Sequence, residues 1–218
     1  MFMNKDKRGR KIILIFTALI ILGFSVIFSV RFGSVNYTSV EILKSLFMKS
    51  YDDEILKAIL WDIRIPRILI AVMVGCNLSL AGVLLQAVMK NPLADPGLTG
   101  VSSGASVTAL IIMILYPKAI FFMNFSAFVG GAIACAVVFM LAWKKGLKPI
   151  RVILSGVAIN AILGSITGLM FILFSDEIQG VLSWLNGSLN GKNWRHVTGL
   201  LPYTLVGILA CFTMIRDA

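Results

Sequence analysis

The stretch from Arg64 to Ala105 constrains the fold more than any other part of the chain. Its segment Asn91–Gly97 contains two prolines and a glycine and lies between two long apolar segments. A soluble protein would not surround such a turn with so much apolar sequence. Proline removes a backbone donor and fixes the chain direction, and an Asn or Asp side chain can accept from the freed N–H groups at a following helix start. The stretch therefore predicts two membrane-spanning helices joined by a rigid turn, with Asn91 and Asp95 capping its backbone.

The composition agrees with a membrane protein. The chain is 58% hydrophobic and 14% charged, with a mean hydropathy of +0.92, and a water-facing surface does not allow such values. Its net charge is +10. The basic residues form short clusters between apolar segments and no continuous basic stripe, so we expect no nucleic-acid partner and expect contact with membrane lipid.

Apolar length predicts an all-α, polytopic helical bundle with six transmembrane helices in a single transmembrane domain. A span needs about 17–25 mainly apolar residues. The residues between the first and second spans, Arg31–Trp61, are mixed in polarity and are expected to lie at the surface. The predicted spans are residues 12–30, 68–88, 98–116, 120–143, 152–174 and 198–215.

Lysine and arginine residues predict the orientation. The two densest basic runs, Lys5–Lys11 and Lys144–Arg151, are separated by four spans and so fall on the same side. The positive-inside rule makes that side the cytoplasm. The N-terminus and the Asn91 turn are then cytoplasmic, whereas residues 31–67 and 175–197 face outward.

The spans contain no Asp, Glu, Lys or Arg. Ion-coupled transporters usually place ionisable groups at membrane depth, so the energy for any transport must come from another subunit. The segment Gly187–Asn193 departs from a phosphate-binding loop in its spacing, and the three cysteines are isolated in apolar segments. We therefore expect no enzymatic activity, no catalytic residue, no metal site and no cofactor.

Small residues recur at four-residue intervals in the spans, a pattern that lets helix backbones approach closely. In the fifth span, Asn160, Ser165 and Thr167 add polarity that packing alone does not need, so this span is the candidate for lining a translocation pathway. Packing alone remains the alternative for each of these residues. The glycines assigned to helix packing are Gly75, Gly82, Gly100, Gly104, Gly156, Gly164 and Gly168.

Several motifs together resemble the permease family of FecCD/BtuC type, the membrane subunits of ABC importers for iron-siderophores, haem and vitamin B12. The most specific are Arg64-x-Pro-Arg67 and Asn91-Pro-Leu-Ala-Asp-Pro-Gly97, followed by Ser103-Gly104-Ala105. The blocks Leu154–Ala158 and Trp184–Leu189 are also similar to the family. The resemblance covers residues 12–218.

The resemblance implies a permease that carries a metal chelate of iron-siderophore type, or haem or cobalamin, across the bacterial cytoplasmic (inner) membrane. Its partners would be ABC ATPase subunits, an extracytoplasmic substrate-binding lipoprotein or periplasmic protein, and a second permease subunit in a homo- or heterodimer. Arg64 and Arg67 would dock the binding protein through carboxylates, although snorkelling at a membrane boundary would also explain them. Asn91 and Leu93 would form the cytoplasmic gate, although the turn could be only a tight connection.

The same resemblance implies ten spans in two inverted halves, and the sequence contains six. We therefore expect an incomplete sequence or a disrupted gene, whose 218 residues do not transport by themselves. The alternative to a working permease is a non-transporting membrane scaffold packed through its small-residue faces, or an inactive permease fragment.

Overall fold

The computed structural model describes residues 3–31, 54–144 and 146–216, and the regular elements within these ranges are all helical. The expected all-α architecture is confirmed. In chain order the elements are α1 (Met3–Arg31), α2 (Glu54–Ala58), a π-helical segment (Ile59–Arg64), α3 (Ile65–Met89), a 3-10 helix (Pro96–Thr99), α4 (Val101–Leu115), a 3-10 helix (Pro117–Phe122), α5 (Met123–Ala142), α6 (Pro149–Leu173), a 3-10 turn (Ser175–Glu177), α7 (Ile178–Leu185) and α8 (Trp194–Arg216).

Among the described residues, five helical stretches are long and apolar enough to cross a membrane. They are Gly9–Val30, Glu54–Met89, Pro117–Ala142, Pro149–Leu173 and Trp194–Met214. Helix α4 is apolar but has only 15 residues, which at 1.5 Å per residue is shorter than a hydrocarbon core of about 30 Å. It begins later than the predicted third span because Leu98 and Thr99 belong to a 3-10 helix and Gly100 adopts a left-handed conformation (φ 79°).

The segment before the second span differs from the expectation. Glu54–Trp61 was expected at the surface, but it is helical and continues without a break into α3, and Leu56 and Leu60 within it are fully buried. Apolar length did not predict this helix because four charged residues lie between positions 54 and 64. Residues 32–53 of the same predicted surface segment lie outside the described residues.

The chain divides into two compact units. The first comprises Met1–Gly75 and Leu189–Leu205, and the second comprises Cys76–Ser188 and Val206–Ala218. In the first unit, Ile70 and Met73 of α3 form a buried apolar cluster with Val197 and Leu200 of α8.

The second unit is built on the close packing of α4 against α5. A Cβ atom added to Gly104 would overlap the carbonyl oxygen of Gly130, and one added to Gly130 would overlap the side chain of Thr108. The Thr108 hydroxyl lies 3.0 Å from the Ser126 carbonyl and at similar distances from two carbonyls of its own helix, and its single proton can be donated to any one of them. Such contacts between small and hydroxylated residues are typical of membrane helices, which gain little from apolar burial alone.

Helix α6 completes the second unit with an apolar cluster at each end. Near its start, Val152 packs with residues from α3, α5 and the turn between α3 and α4; near its end, Met170 packs with α4 and α7. The buried members of the first cluster are Met89, Ala94, Val138, Ala142 and Val152, and those of the second are Leu110, Met170 and Val181.

The predicted packing glycines fall into two groups. Gly100, Gly104 and Gly156 lie against neighbouring atoms, whereas a Cβ atom at Gly75, Gly82, Gly164 or Gly168 would meet no heavy atom within 4 Å. Gly156 has the least room, because a Cβ atom there would overlap the backbone carbonyl of Leu98. Backbone cannot rotate away as a flexible side chain can, so this contact requires glycine.

We predict that Gly156→Ala lowers the free energy of unfolding of the detergent-solubilised chain by about 1–3 kcal/mol, because the added methyl group forces α6 away from Leu98. The measurement is denaturant unfolding followed by circular dichroism. Gly164→Ala on the same helix is the matched control and should change the free energy by no more than about 1 kcal/mol, because its Cβ atom enters open space. Equal destabilisation by both substitutions would contradict the packing argument.

Candidate functional site: a capped turn and an arginine-bearing helix start

The turn after α3, residues 90–100, begins with a regular helix termination. Lys90 takes the left-handed conformation (φ 48°) that usually requires glycine. The N–H of Asn91 donates to the Gln86 carbonyl and that of Lys90 to the Ala87 carbonyl, both at 3.2 Å. These two bonds define a Schellman motif, and Pro92 follows where the helix cannot continue.

Two side chains satisfy the backbone of the rest of the turn. Asn91 Oδ1 accepts from the N–H of Leu93 at 3.0 Å, and Asp95 Oδ1 accepts from the N–H of Gly97 at 2.6 Å. Asp95 is the N-cap of the 3-10 helix, with Pro96 in its first turn. The structure confirms the capping role predicted for Asp95, whereas Asn91 bonds the Leu93 N–H within the turn and does not cap the following helix.

The tip of the turn exposes an apolar side chain. Leu93 is 82% exposed in this chain, while Ala94 beside it is buried in the apolar cluster at the start of α6. A large exposed apolar residue at the tip of a rigid turn has the geometry to close against another surface. The turn thus presents Leu93 on a backbone that is held by the side-chain bonds of Asn91 and Asp95.

Helix α6 holds the turn through polar contacts as well as apolar ones. Asn160 Nδ2 donates to the Gly97 carbonyl at 3.1 Å, and Asn160 Oδ1 accepts from the Ser103 hydroxyl at 2.8 Å. One side chain therefore connects α6 to the 3-10 helix and to the first turn of α4.

The other residues predicted for a pathway on α6 are placed differently. Ser165 donates to the Ala161 carbonyl of its own helix at 2.9 Å and is exposed, and Thr167 is half-buried. Because α6 turns 100° per residue, Thr167 lies on the same face as Asn160, and Ser165 points about 140° away. The three residues therefore do not form one polar strip.

A cavity lies between the turn and the start of α6. It is lined by Met89, Asn91, Asp95, Leu98 and Val152 among others, and its volume of about 10 Å³ holds at most one water molecule. It is too small for an organic ligand. Within the described ranges, no group of three or more His, Cys, Asp or Glu side chains could hold a metal ion.

The first unit contains the two predicted docking arginines at the start of α3. Arg64 is buried at 7% exposure, and its guanidinium donates to the carbonyl of Val30 at the end of α1. Arg67 is half-buried, donates from one terminal nitrogen to Asn190 Oδ1 at 2.9 Å, and has no hydrogen-bond partner for its buried Nε among the described residues. The two arginines of one motif thus have different surroundings.

A tryptophan compensates for the proline between these arginines. In a π-helix the carbonyl of residue i accepts from the N–H of residue i+5, and the residue five positions after Trp61 is Pro66, which has no N–H. The indole Nε1 of Trp194 donates to the Trp61 carbonyl at 2.8 Å and fills the vacant position. This bond and the Arg67–Asn190 bond join residues 61–67 to residues 190–194.

The start of α8 is capped locally. Asn193 Oδ1 accepts from the N–H of Arg195 at 3.1 Å and lies 2.9 Å from His196 Nδ1. His196 is thus part of a helix start.

Sequence reasoning missed two contributors to these sites. The only sequence signal for the Trp61–Trp194 bond was Pro66, which leaves the Trp61 carbonyl without a helical donor. The sequence does not indicate which distant side chain donates to that carbonyl instead. Gly130 and Gly131 on α5 were also missed, although as a Gly-Gly pair within an apolar helix they were open to the same inference as Gly104.

These features together define a multi-pass membrane protein whose helix breaks are satisfied within the protein, an arrangement common in transport proteins. A model of the FecCD transport family matches residues 19–218, and the chain belongs to this family. The family resemblance inferred from the sequence motifs is confirmed.

Relatives in other organisms support the same assignment. The chain is 33% identical over 204 residues to the Fe(3+)-citrate import system permease protein YfmD of Bacillus subtilis (strain 168), a match covering 94% of this chain and 60% of the relative. It is 36% identical over 165 residues to the cobalamin import system permease protein BtuC of Halobacterium salinarum, covering 75% of this chain and 45% of the relative. The chain thus spans 60% or less of the length of these relatives.

A solved structure shares the fold. It is an ABC transporter of metal-chelate type in an inward-facing conformation, which matches with a TM-score of 0.69 and 23% sequence identity over 88% of this chain and 59% of that one.

We predict that Trp194→Phe lowers the free energy of unfolding by about 0.5–1.5 kcal/mol, because the ring is kept while the donor to the Trp61 carbonyl is lost. Unfolding in detergent, monitored by far-ultraviolet circular dichroism, measures the effect. Trp143→Phe is the matched control, since the Trp143 side chain is 65% exposed. If the two variants were equally stable, the indole bond would contribute nothing to the fold.

Proposed function

We propose that this chain is the membrane-spanning permease subunit of an ABC importer for a metal chelate of iron-siderophore type, or for haem or cobalamin. The observation that carries the proposal is the family match over residues 19–218. It is supported by relatives that are permeases of import systems for ferric citrate and cobalamin. ATP hydrolysis takes place on separate ATPase subunits, and an extracytoplasmic binding protein delivers the chelate.

The turn around Asn91 is the proposed cytoplasmic gate. A gate needs a surface that can close and a backbone that keeps its shape when it opens. The exposed Leu93 provides the first, and the side-chain bonds of Asn91 and Asp95 provide the second. A second permease subunit, identical or related, brings the matching turn. Thr167 of α6, which lies on the same face as Asn160, is proposed to line the pathway in that assembly, whereas Ser165 lies on another face of the helix.

The proposed orientation places the N-terminus and the gate turn in the cytoplasm. Two observations support it, each within one unit. The gate turn lines the same cavity as Pro149, Val152 and Ile153. This is expected if the turn and the Lys144–Arg151 loop lie on the same side of the membrane. Residues 61–67 and 190–194 are bonded to each other, as two outward-facing segments can be.

Cysteine labelling in intact cells tests this orientation. With Cys76, Cys135 and Cys211 replaced by alanine, we expect a membrane-impermeant maleimide to modify Asn186→Cys and to spare Lys148→Cys until the cells are permeabilised. Both positions are exposed in the structure, so a difference reports the side of the membrane. The reverse pattern would show an inverted topology.

Docking of the binding protein is assigned mainly to Arg67. Its guanidinium is half-buried and bonds Asn190 through one terminal nitrogen, while Nε is buried. The exposed part of the guanidinium is therefore the part that a carboxylate of a partner would meet. The buried Arg64 is engaged with Val30, so its contribution is to hold the start of α3 in place.

We predict that Arg67→Glu in the assembled transporter raises the Kd for the purified binding protein roughly tenfold or more, because a charge-assisted hydrogen bond contributes about 1.5–3 kcal/mol. Binding to transporter in lipid nanodiscs measures it. Lys118→Glu is the matched control: it reverses an exposed charge that the proposed topology also places outside.

Arg64→Glu should have another effect, since it places an unpaired carboxylate in a buried position beside a carbonyl oxygen. The yield of folded permease should fall, and the Kd of the folded fraction should change less than with Arg67→Glu. An Arg67→Glu protein that binds normally would refute the docking role. A transporter that docks its binding protein but imports no ferric chelate, haem or cobalamin would refute the proposed substrate class.

A further inference from the structure

We propose that Asn160 is a positioning residue that fastens the gate turn to α6, so that the Lys144–Arg151 loop, α6 and the turn move as one block. This inference rests on the proposed gating role of the Asn91 turn and assigns the element that carries the gate. It gives Asn160 a role different from lining the translocation pathway.

The first support is the pairing of both ends of the Asn160 amide. Nδ2 donates to the Gly97 carbonyl at 3.1 Å, and Oδ1 accepts from the Ser103 hydroxyl at 2.8 Å. The two partners lie on either side of Gly100, where the chain passes from the 3-10 helix into α4. Because both ends of the amide are bonded to the turn, Asn160 cannot turn toward a passing substrate without breaking these bonds.

The second support is a steric contact one helical turn earlier on the same face. Gly156 lies directly against the Leu98 backbone, with no room for a methyl group. A close backbone contact at position 156 and a bidentate amide at position 160 restrain the turn at two points along α6. Two separated points oppose rotation as well as translation, which a single contact does not.

The third support connects α6 to the loop before it. Arg151, in the first turn of α6, donates to the Lys144 carbonyl at 2.6 Å and to the Gly146 carbonyl at 2.9 Å. These bonds close the loop onto the start of α6. A displacement of the loop is therefore transmitted to α6 and, through Gly156 and Asn160, to the gate turn.

The serine on the same helix provides a contrast. The Ser165 hydroxyl bonds only within α6, to the Ala161 carbonyl. Removing it takes away a polar group from the helix without touching the turn. Ser165→Ala therefore controls for a general loss of polarity on α6.

The test is a distance measurement by pulsed electron paramagnetic resonance on the full-length permease, assembled with its ATPase in nanodiscs. Spin labels are placed at Leu93 on the gate turn and at Lys148 in the loop, both exposed, with the native cysteines replaced by alanine. Both labels are placed on one of the two permease subunits only, so that the unsubstituted protein should give one narrow distance peak. Thermal unfolding is measured in parallel, so that loss of global stability is separated from loss of the restraint.

We expect Asn160→Leu to raise the ratio of displaced to native distances roughly 5- to 30-fold, the change expected for loss of one or two hydrogen bonds of ordinary strength. Ser103→Ala, which removes one of the two bonds and leaves α6 intact, should have a smaller effect in the same direction. Combining the two should add little to Asn160→Leu alone, because both act on the same contact. Ser165→Ala should leave the peak unchanged.

An unchanged distance peak in Asn160→Leu, with reduced uptake, would overturn the proposal and return Asn160 to the pathway. If Asn160→Leu failed to fold, the distance distribution of Ser103→Ala would be the test. An unchanged peak in Ser103→Ala would then overturn the proposal. The distance measurement needs no transport. A permease that imported no chelate would therefore refute the proposed function, while the distances would still decide whether Asn160 holds the turn.

Discussion

The whole structure depends on pairing backbone polar groups wherever a helix is interrupted in apolar surroundings. An unpaired N–H or carbonyl group costs several kcal/mol away from water, so each interruption needs a partner within the protein. The turn after α3 uses a Schellman motif and the side chains of Asn91 and Asp95. The proline at the start of α3 uses the indole of Trp194, which supplies the donor that Pro66 lacks. In both places the compensation also fixes the position of residues assigned to function.

Glycine determines where these helices approach one another. Close contacts occur at Gly104 and Gly130 between α4 and α5 and at Gly156 against the turn, because only glycine leaves room for a neighbouring backbone there. Gly164, on the same helix as Gly156, faces open space in this chain. A regular small-residue spacing along α6 therefore contains positions with different roles. The sequence pattern marks the face, and the neighbouring backbone decides which positions need glycine.

The two arginines of the Arg64-x-Pro-Arg67 motif show how one pattern can hold two functions. Both carry the planar guanidinium that suits a carboxylate, and the sequence offers no reason to separate them. The fold buries Arg64 against the end of α1 and leaves Arg67 half-buried with an unpaired Nε. Their difference arises from the approach of α1, which is nearly thirty-five residues earlier in the chain. For the same reason, we expect a substitution at Arg64 to affect mainly folding, while the proposed docking role rests on Arg67.

The sequence by itself determined the all-α membrane fold, the long helices apart from the start of the second, and the cap at Asp95, and its motifs identified the family. The fold, the helices and the cap follow from apolar length, proline chemistry and contacts between residues two or three positions apart. It misjudged Glu54–Trp61, where charges hide a helix, and the length of α4, which Gly100 shortens. Only the tertiary structure decided that Asn160 bonds Ser103 and Gly97, that the Trp194 indole donates to the Trp61 carbonyl, and that Arg64 is buried against Val30. Each of these contacts joins residues more than thirty positions apart, and their pairing depends on how the helices pack, which no local pattern encodes.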